Sequence, residues 1–141
     1  MSFTEELKSE LSNILQYWIT NTIDHENGGF VGEIALDNSV VKNAGKGAVL
    51  NARILWTFSS AYRLFPKKEY LEMAERAYDY LVNYFWDKEN GGLYWEVITR
   101  EFQLTLANKS MHKALVCMDF LNFIEQQAIQ NRWNTPKSYL N

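Results

Sequence analysis

One cysteine, two histidines and two prolines in 141 residues remove several common chemistries at the outset. Cys117 stands alone, so no disulfide can form within one chain, and a thiolate metal cluster is excluded. No His-Asp pair supports Cys117 as a nucleophile, and it reads most simply as apolar filling or as an accident of a shifted reading frame. Basic runs are missing too. A formal charge of −3 and a pI near 5.4 argue against nucleic acid or an anionic membrane as partner, and favour a neutral or small polar ligand. No stretch approaches the roughly 18 apolar residues of a membrane span. Met1-Ser2-Phe3-Thr4-Glu5-Glu6 has neither the basic nor the apolar part of a secretory signal, so the cytoplasm is the expected compartment. Neither a metal nor a cofactor is expected.

What is present is apolar surface, 47% of residues with 15% aromatic, enough for a packed core in a chain of single-domain length. It is also organised. Asp24-His25-Glu26-Asn27-Gly28-Gly29-Phe30 returns 63 residues later as Asp87-Lys88-Glu89-Asn90-Gly91-Gly92-Leu93. Each copy follows a helical pattern and precedes a β-like run, so the unit is a helical hairpin that buries its apolar face by stacking on neighbours.

Leu7, Leu11, Ile14, Leu15, Trp18 and Ile19 predict a first helix, opened by a Ser2/Glu5 capping box and ending before Asp24. Phe30–Ile34 reads as a short strand or ribbon, and residues 37–48 as an irregular connection. A second helix is predicted from Ala48 to Phe65, stopped by Pro66; it is apolar all round, which predicts burial on most sides. The third, Lys67 to Phe85, is amphipathic, with Leu71, Ala74, Tyr78, Leu81, Val82 and Phe85 on one face. Half-exposed, buried and half-exposed helices in succession fit two concentric rings, an all-α toroid of hairpins with short β-like loops.

The stretch Gly47-Ala48-Val49-Leu50-Asn51-Ala52-Arg53-Ile54-Leu55-Trp56-Thr57-Phe58, followed by Ala61-Tyr62-Arg63, resembles the N-acylglucosamine 2-epimerase and cellobiose 2-epimerase family. Asn27–Gly32, Met73–Tyr78 and Gly91–Trp95 support the resemblance, which runs from the first helix to about Asn108. It implies an (α/α)6 barrel and a metal-independent isomerase acting on unmodified or N-acylated sugars. Beyond Asn108 the pattern departs from the family. Lys109-Ser110-Met111-His112-Lys113-Ala114 stands where the family has a Tyr-Ala-Gln-Ser-Phe-like inner helix, and synonymous codons read two bases later can encode such a phrase. The expectation is therefore residues 1–108 as the N-terminal part of an epimerase barrel, and 109–141 as a frameshifted helical tail. Ala114, Cys117, Met118, Leu121 and Ile124 still fall at helical spacing.

Epimerisation at C2 needs a base, an acid and stabilisation of an enediolate. The family's catalytic histidines lie on later helices, and neither His25 nor His112 matches them. Arg53 is the leading catalytic candidate. In an apolar helix its permanent charge needs a partner, and Trp56, Thr57 and Ser60 join it in a polar-aromatic stripe. By resemblance its fork of donors would hold sugar oxygens near C1 and C2; the alternative is an internal salt bridge to Glu33 or Glu75. Trp56 serves as a wall for a sugar ring or as core packing. Tyr94 and Trp95 line the pocket mouth or pack across strands. The expected partner is a mono- or disaccharide in the intact fold, and the truncated chain is expected to self-associate and to be inactive alone. Two other classes compete: a noncatalytic helical-repeat interaction module, and a glycosidase fragment, which lacks a suggestive pair of carboxylates.

Overall fold

Helix α1, Phe3–Asn21, begins where local chemistry starts it. The Glu5 amide donates to Ser2 Oγ and the Ser2 amide donates to Glu5 Oε2, so two amides that the first turn cannot pair internally are satisfied reciprocally. Its inward face carries buried Leu15 with Leu11, Trp18 and Ile19 packed on the core. The computed structural model describes residues 2–89 and 93–98, together with the backbone of 104–105. Asn90-Gly91-Gly92, His112, Cys117 and the tail reading over 109–141 lie outside the described residues.

After α1 the chain turns at Asp24, whose Oδ1 accepts from the amides of Glu26 and Asn27. Gly28 and Gly29 then adopt φ of +77° and +60°, the left-handed region that a Cβ disfavours. The predicted strand at Phe30–Ile34 does not form. Phe30 bridges to Ile23 and Ile34 to Val40, each alone, because the segment folds back on its own flanks and has no long neighbour to pair with.

Strand β1, Lys46–Gly47, leads directly into helix α2, Ala48–Leu64. Gly47 offers no side-chain cap, and the Ala48 amide donates instead to the Trp95 carbonyl at 2.9 Å. Pro66 forces the preceding Phe65 out of the helical region and ends the helix. Helix α3, Lys68–Tyr80, passes into a π turn over Leu81–Phe85, where the Trp86 amide reaches back to the Leu81 carbonyl. The extra residue per turn rotates the end of the predicted third helix and replaces its last regular turn. Strands β2, Glu96–Val97, and β3, Leu104–Thr105, complete an antiparallel sheet in the order β1-β2-β3, with Lys46 opposite Val97 and Gly47 opposite Glu96.

The core lies between α2 and α3, where Ala52, Leu55, Phe58 and Ala61 meet Tyr70, Met73, Ala74 and Ala77. Small residues let the helices approach, and Phe58 meets Tyr70 with ring centroids 6.1 Å apart. The buried stripe of α3 runs through Tyr70, Met73 and Ala77, whereas Leu71, Tyr78 and Val82 are only half-buried. α2 is buried on one side rather than on most: Arg53, Trp56, Arg63 and Leu64 are exposed. Its apolarity all round does not mean enclosure among the described residues.

The sequence repeat is also a structural one. Ile23 bridges Phe30 as Trp86 bridges Leu93, and the Val31 amide donates to the Thr22 carbonyl as the Tyr94 amide donates to that of Phe85. Asp24 Oδ1 accepts from the Glu26 amide as Asp87 Oδ1 accepts from that of Glu89, both at 3.0 Å. Every second-copy residue lies 63 positions after its counterpart.

Candidate functional site

Helical spacing gathers the predicted stripe on one side of α2. Arg53, Trp56, Thr57 and Ser60 follow one another at intervals of three, one and three residues, and all four are exposed or half-buried. Asn51, near the centre of the opposite face, is buried with its Nδ2 donating to the Gly47 carbonyl at 2.9 Å. The expectation that Arg53 is buried is therefore corrected: it stands near the middle of the outward face. No ion pair from Arg53 to Glu33 or Glu75 is formed among the described residues, and both glutamates are exposed. Trp56, half of whose surface is exposed, is not a core residue here.

Trp95 comes to the same end of α2, since its carbonyl receives the Ala48 amide little more than one turn before Arg53. Its surface is 42% exposed, whereas Tyr94 is half-buried and packs against the core. The structure thus brings Arg53, Trp56 and the Trp95 backbone to the N-terminal half of one helix and leaves Tyr94 in a packing position. His25 is exposed in its loop. Two open grooves, of about 370 and 210 Å³, are lined by other residues, the larger by Glu72, Arg76, Asp79, Tyr80 and Tyr84 and the smaller by Lys8, Leu11 and Tyr70. Neither includes Arg53. Among the described residues no group of three or more His, Cys, Asp or Glu side chains could hold a metal ion.

Behind this face sits a cluster that the sequence reading missed. Lys46, 2% exposed, donates to Asp24 Oδ2 at 2.7 Å and to the Gly28 carbonyl at 2.6 Å, and its ammonium lies 4.7 Å from the centroid of the Tyr80 ring. Arg76 Nε donates to the Gly29 carbonyl at 2.7 Å, and its Nη2 donates to the Asp24 carbonyl. Two cations from different elements therefore hold one loop, fixing the end of α1 against β1 and α3. Burial alone would raise the Asp24 carboxyl, but hydrogen bonds from Lys46 and Asn27 outweigh it and hold it at about 2. Burial lowers the Lys46 ammonium, and the bond to Asp24 offsets only part of that. Burial, with the neighbouring Tyr84 and Asp24, pushes the Tyr80 phenol up to about 12. Near neutrality the Asp24 carboxylate is ionised and the Tyr80 phenol protonated, and the hydrogen bonds around them make the cluster a clamp between elements. No spacing rule joins Asp24, Lys46 and Arg76; only the repeated Asp-Asn-Gly-Gly loop marked the place.

The sequence model of the N-acylglucosamine 2-epimerase (GlcNAc 2-epimerase) family matches residues 10–126, running past Asn108. A cellobiose 2-epimerase of Bacteroides fragilis is 51% identical over 94 residues, 66% of this chain. The chain spans only 24% of that relative's length. The solved cellobiose 2-epimerase of Spirochaeta thermophila superposes with a TM-score of 0.59 at 36% identity, covering 67% of this chain and 24% of that one. A sugar epimerase from a ruminal bacterium gives 0.68 at 28% identity, covering 98% of this chain and 39% of the other. With more than half its length matched by that model, the chain belongs to the N-acylglucosamine 2-epimerase family.

Proposed function

We propose that this chain is the N-terminal part of a sugar 2-epimerase (α/α)6 barrel, acting in the cytoplasm on cellobiose-, mannose- or N-acylglucosamine-type sugars when the barrel is complete. The observation that carries the reading is the joint position of Arg53, Trp56, Thr57 and Ser60 on the outward face of α2 in a member of this family. In a closed ring that face would look into the central pocket. There the Arg53 guanidinium, charged at any working pH, would donate in a planar fork to the oxygens at C1 and C2 and stabilise the enediolate. Trp56 would offer its indole face to the C–H side of a pyranose, and Trp95 would border the mouth, with Tyr94 behind it. Proton transfer at C2 would fall to histidines on later helices, so the 141-residue chain is inactive alone.

Residues 109–141 are, on this reading, a tail produced by a frameshift near the codons for Asn108 and Lys109. The family match runs beyond residue 108, so the coding DNA is what fixes the boundary. An intact gene whose alternative frame encodes nothing family-like removes the frameshift from the proposal. Activity is tested by incubating the purified chain, and the frame-repaired protein, with cellobiose, mannose and N-acetylglucosamine in deuterated water. The repaired protein is expected to exchange the C2 hydrogen of one of them and the short chain none; exchange by the short chain overturns the truncated-enzyme reading. A second reading, a helical-repeat interaction module, is favoured by one observation, the exposed apolar stripe along the outward side of α1.

A further inference from the structure

Asn27-Gly28 is one of two Asn-Gly steps in the sequence, the other being Asn90-Gly91 in the second copy of the repeat. Asparagine is thermolabile, and most so before glycine, whose amide nitrogen reaches the side-chain carbonyl carbon with no Cβ in the way. Folding often quenches that chemistry by tying up the groups concerned. Here it leaves them available: Asn27 is exposed, Gly28 takes φ of +77°, and among the described residues the Gly28 amide donates no hydrogen bond. The side-chain amide of Asn27 has only long bonds to hold it, from Nδ2 to Asp24 Oδ2 at 3.2 Å and to Oδ1 at 3.5 Å.

Those bonds lead into the clamp, which converges on Asp24: Lys46 donates to its Oδ2 at 2.7 Å and Arg76 to its carbonyl. We propose that Asn27 is a deamidation site whose products open the clamp, so that the loop between α1 and β1 carries a slow, one-way loosening of the fold. The Gly28 nitrogen attacks Asn27 Cγ; a C–N bond forms, the Cγ–Nδ2 bond breaks, and the displaced nitrogen leaves as ammonia with the Gly28 amide proton. Water then opens the succinimide at Cγ to give an aspartate at position 27, or at the main-chain carbonyl to give an isoaspartyl link. Both products strike the same place. The aspartate sets a second carboxylate where Nδ2 donated, 3.2 Å from Asp24 Oδ2, and like charges at that distance oppose one another. The isoaspartyl link adds a methylene to the main chain beside the two left-handed glycines, whose carbonyls receive Lys46 and Arg76. Every group in this chain of contacts belongs to residues 24–29, Lys46 and Arg76, so the inference holds whether or not the catalytic reading does.

Incubating the folded 141-residue chain in heavy-oxygen water at neutral pH and in mild alkali, then digesting it for tandem mass spectrometry, tests the chemistry. Position 27 should gain the mass of an amide exchanged for a carboxyl with one heavy oxygen incorporated, and faster in alkali, where more of the attacking amide is deprotonated. Asn27→Gln should show no such gain, because its longer side chain closes a less favoured ring. Urea unfolding tests the consequence. The deamidated chain, separated by ion exchange, should unfold at lower urea than the unaltered chain at neutral pH. Asn27→Ser removes the Nδ2 donor without adding charge, whereas Asn27→Asp adds the charge. The midpoint of Asn27→Asp should therefore lie below that of Asn27→Ser at neutral pH, and the gap should close below about pH 4 as the carboxyls take up protons. Failure of Asn27→Asp to fold while Asn27→Ser folds gives the same answer. A position 27 that keeps its amide in the folded chain while converting in urea overturns the proposal, as does a midpoint for Asn27→Asp equal to that of Asn27→Ser.

Discussion

Lys46 and Asp24 cross-link the fold at the scale of single side chains. Removing the ammonium leaves a partly buried carboxylate without its cation, the costly way to break a buried pair, so Lys46→Met should destabilise by about 3–5 kcal/mol in urea unfolding. A loss below about 1 kcal/mol would mean that Asp24 finds other partners. The acid limb follows from the same pair. The folded Asp24 carboxyl sits at about 2, below its ordinary 3.8, so its contribution is complete above about pH 4 and disappears as the pH falls through 3.8 toward 2. The gap corresponds to about 2 kcal/mol. Asp24→Asn should flatten the fall of the urea midpoint over that window, and an unchanged slope would assign the acid limb to other groups. Lys46 has the same sign in a higher window: its ammonium is depressed, so the unfolded chain holds that proton more tightly and stability rises as the pH climbs toward 10.5. Gly29 is fixed by contact as well as by φ. An added Cβ would stand 2.6 Å from Tyr80 Cγ in the left-handed region, so Gly29→Ala should cost about 2–4 kcal/mol and move the tyrosine. On the proposed reading of the site and the frame, Arg53→Lys in the frame-repaired protein should lower turnover strongly while leaving the melting temperature within a few degrees, because the charge stays and only the planar fork is lost.

Among the elements, legibility tracked how far apart in sequence the deciding atoms lie. The start of α1 was legible because Ser2 and Glu5 satisfy each other's amides within one turn. Truncating the cap with Ser2→Ala should cost about 1 kcal/mol and fray the first turn, seen as faster hydrogen exchange at Glu5 and Glu6. The stop of α2 was legible from Pro66, and the repeat from its two Asp-Asn-Gly-Gly stretches, the first of which turns on its own Asp24 side chain and its two glycines. The side on which Arg53 stands was not. Periodicity grouped it correctly with Trp56, Thr57 and Ser60, but a helix apolar all round carries no mark of which flank meets α3. What decides is the packing of α2 on α3, with Ala52 and Ala61 of one helix and Ala74 and Ala77 of the other all buried in the shared core. The first amide of α2 is paired by Trp95, 47 residues on, and the Arg76 contact with Asp24 spans 52. Neither distance leaves a local trace, and the π turn at Leu81–Phe85 leaves none either.

For the whole molecule, the three described helices share one core, and each copy of the repeat ties the end of one helix to the segment after it. In stacked units of this kind stability is a sum of unit and neighbour terms, so a unit whose outer side lacks a neighbour contributes less to cooperativity than an internal one. Here α1 and α2 both present apolar side chains outward, Phe3, Leu7 and Ile14 on one and Trp56 and Leu64 on the other. Water against that surface favours local opening over all-or-none unfolding, and a dye that binds apolar surface should find it in the folded state. The short chain should therefore melt over a broad range and bind such a dye before melting. On the proposed reading, the frame-repaired protein supplies the missing neighbours, and it should melt sharply at a higher temperature with little dye bound. A sharp melt and no dye binding by the 141-residue chain at a concentration where it is monomeric would make it a self-sufficient domain. That result would move the preferred reading from a part of an epimerase barrel to an interaction module.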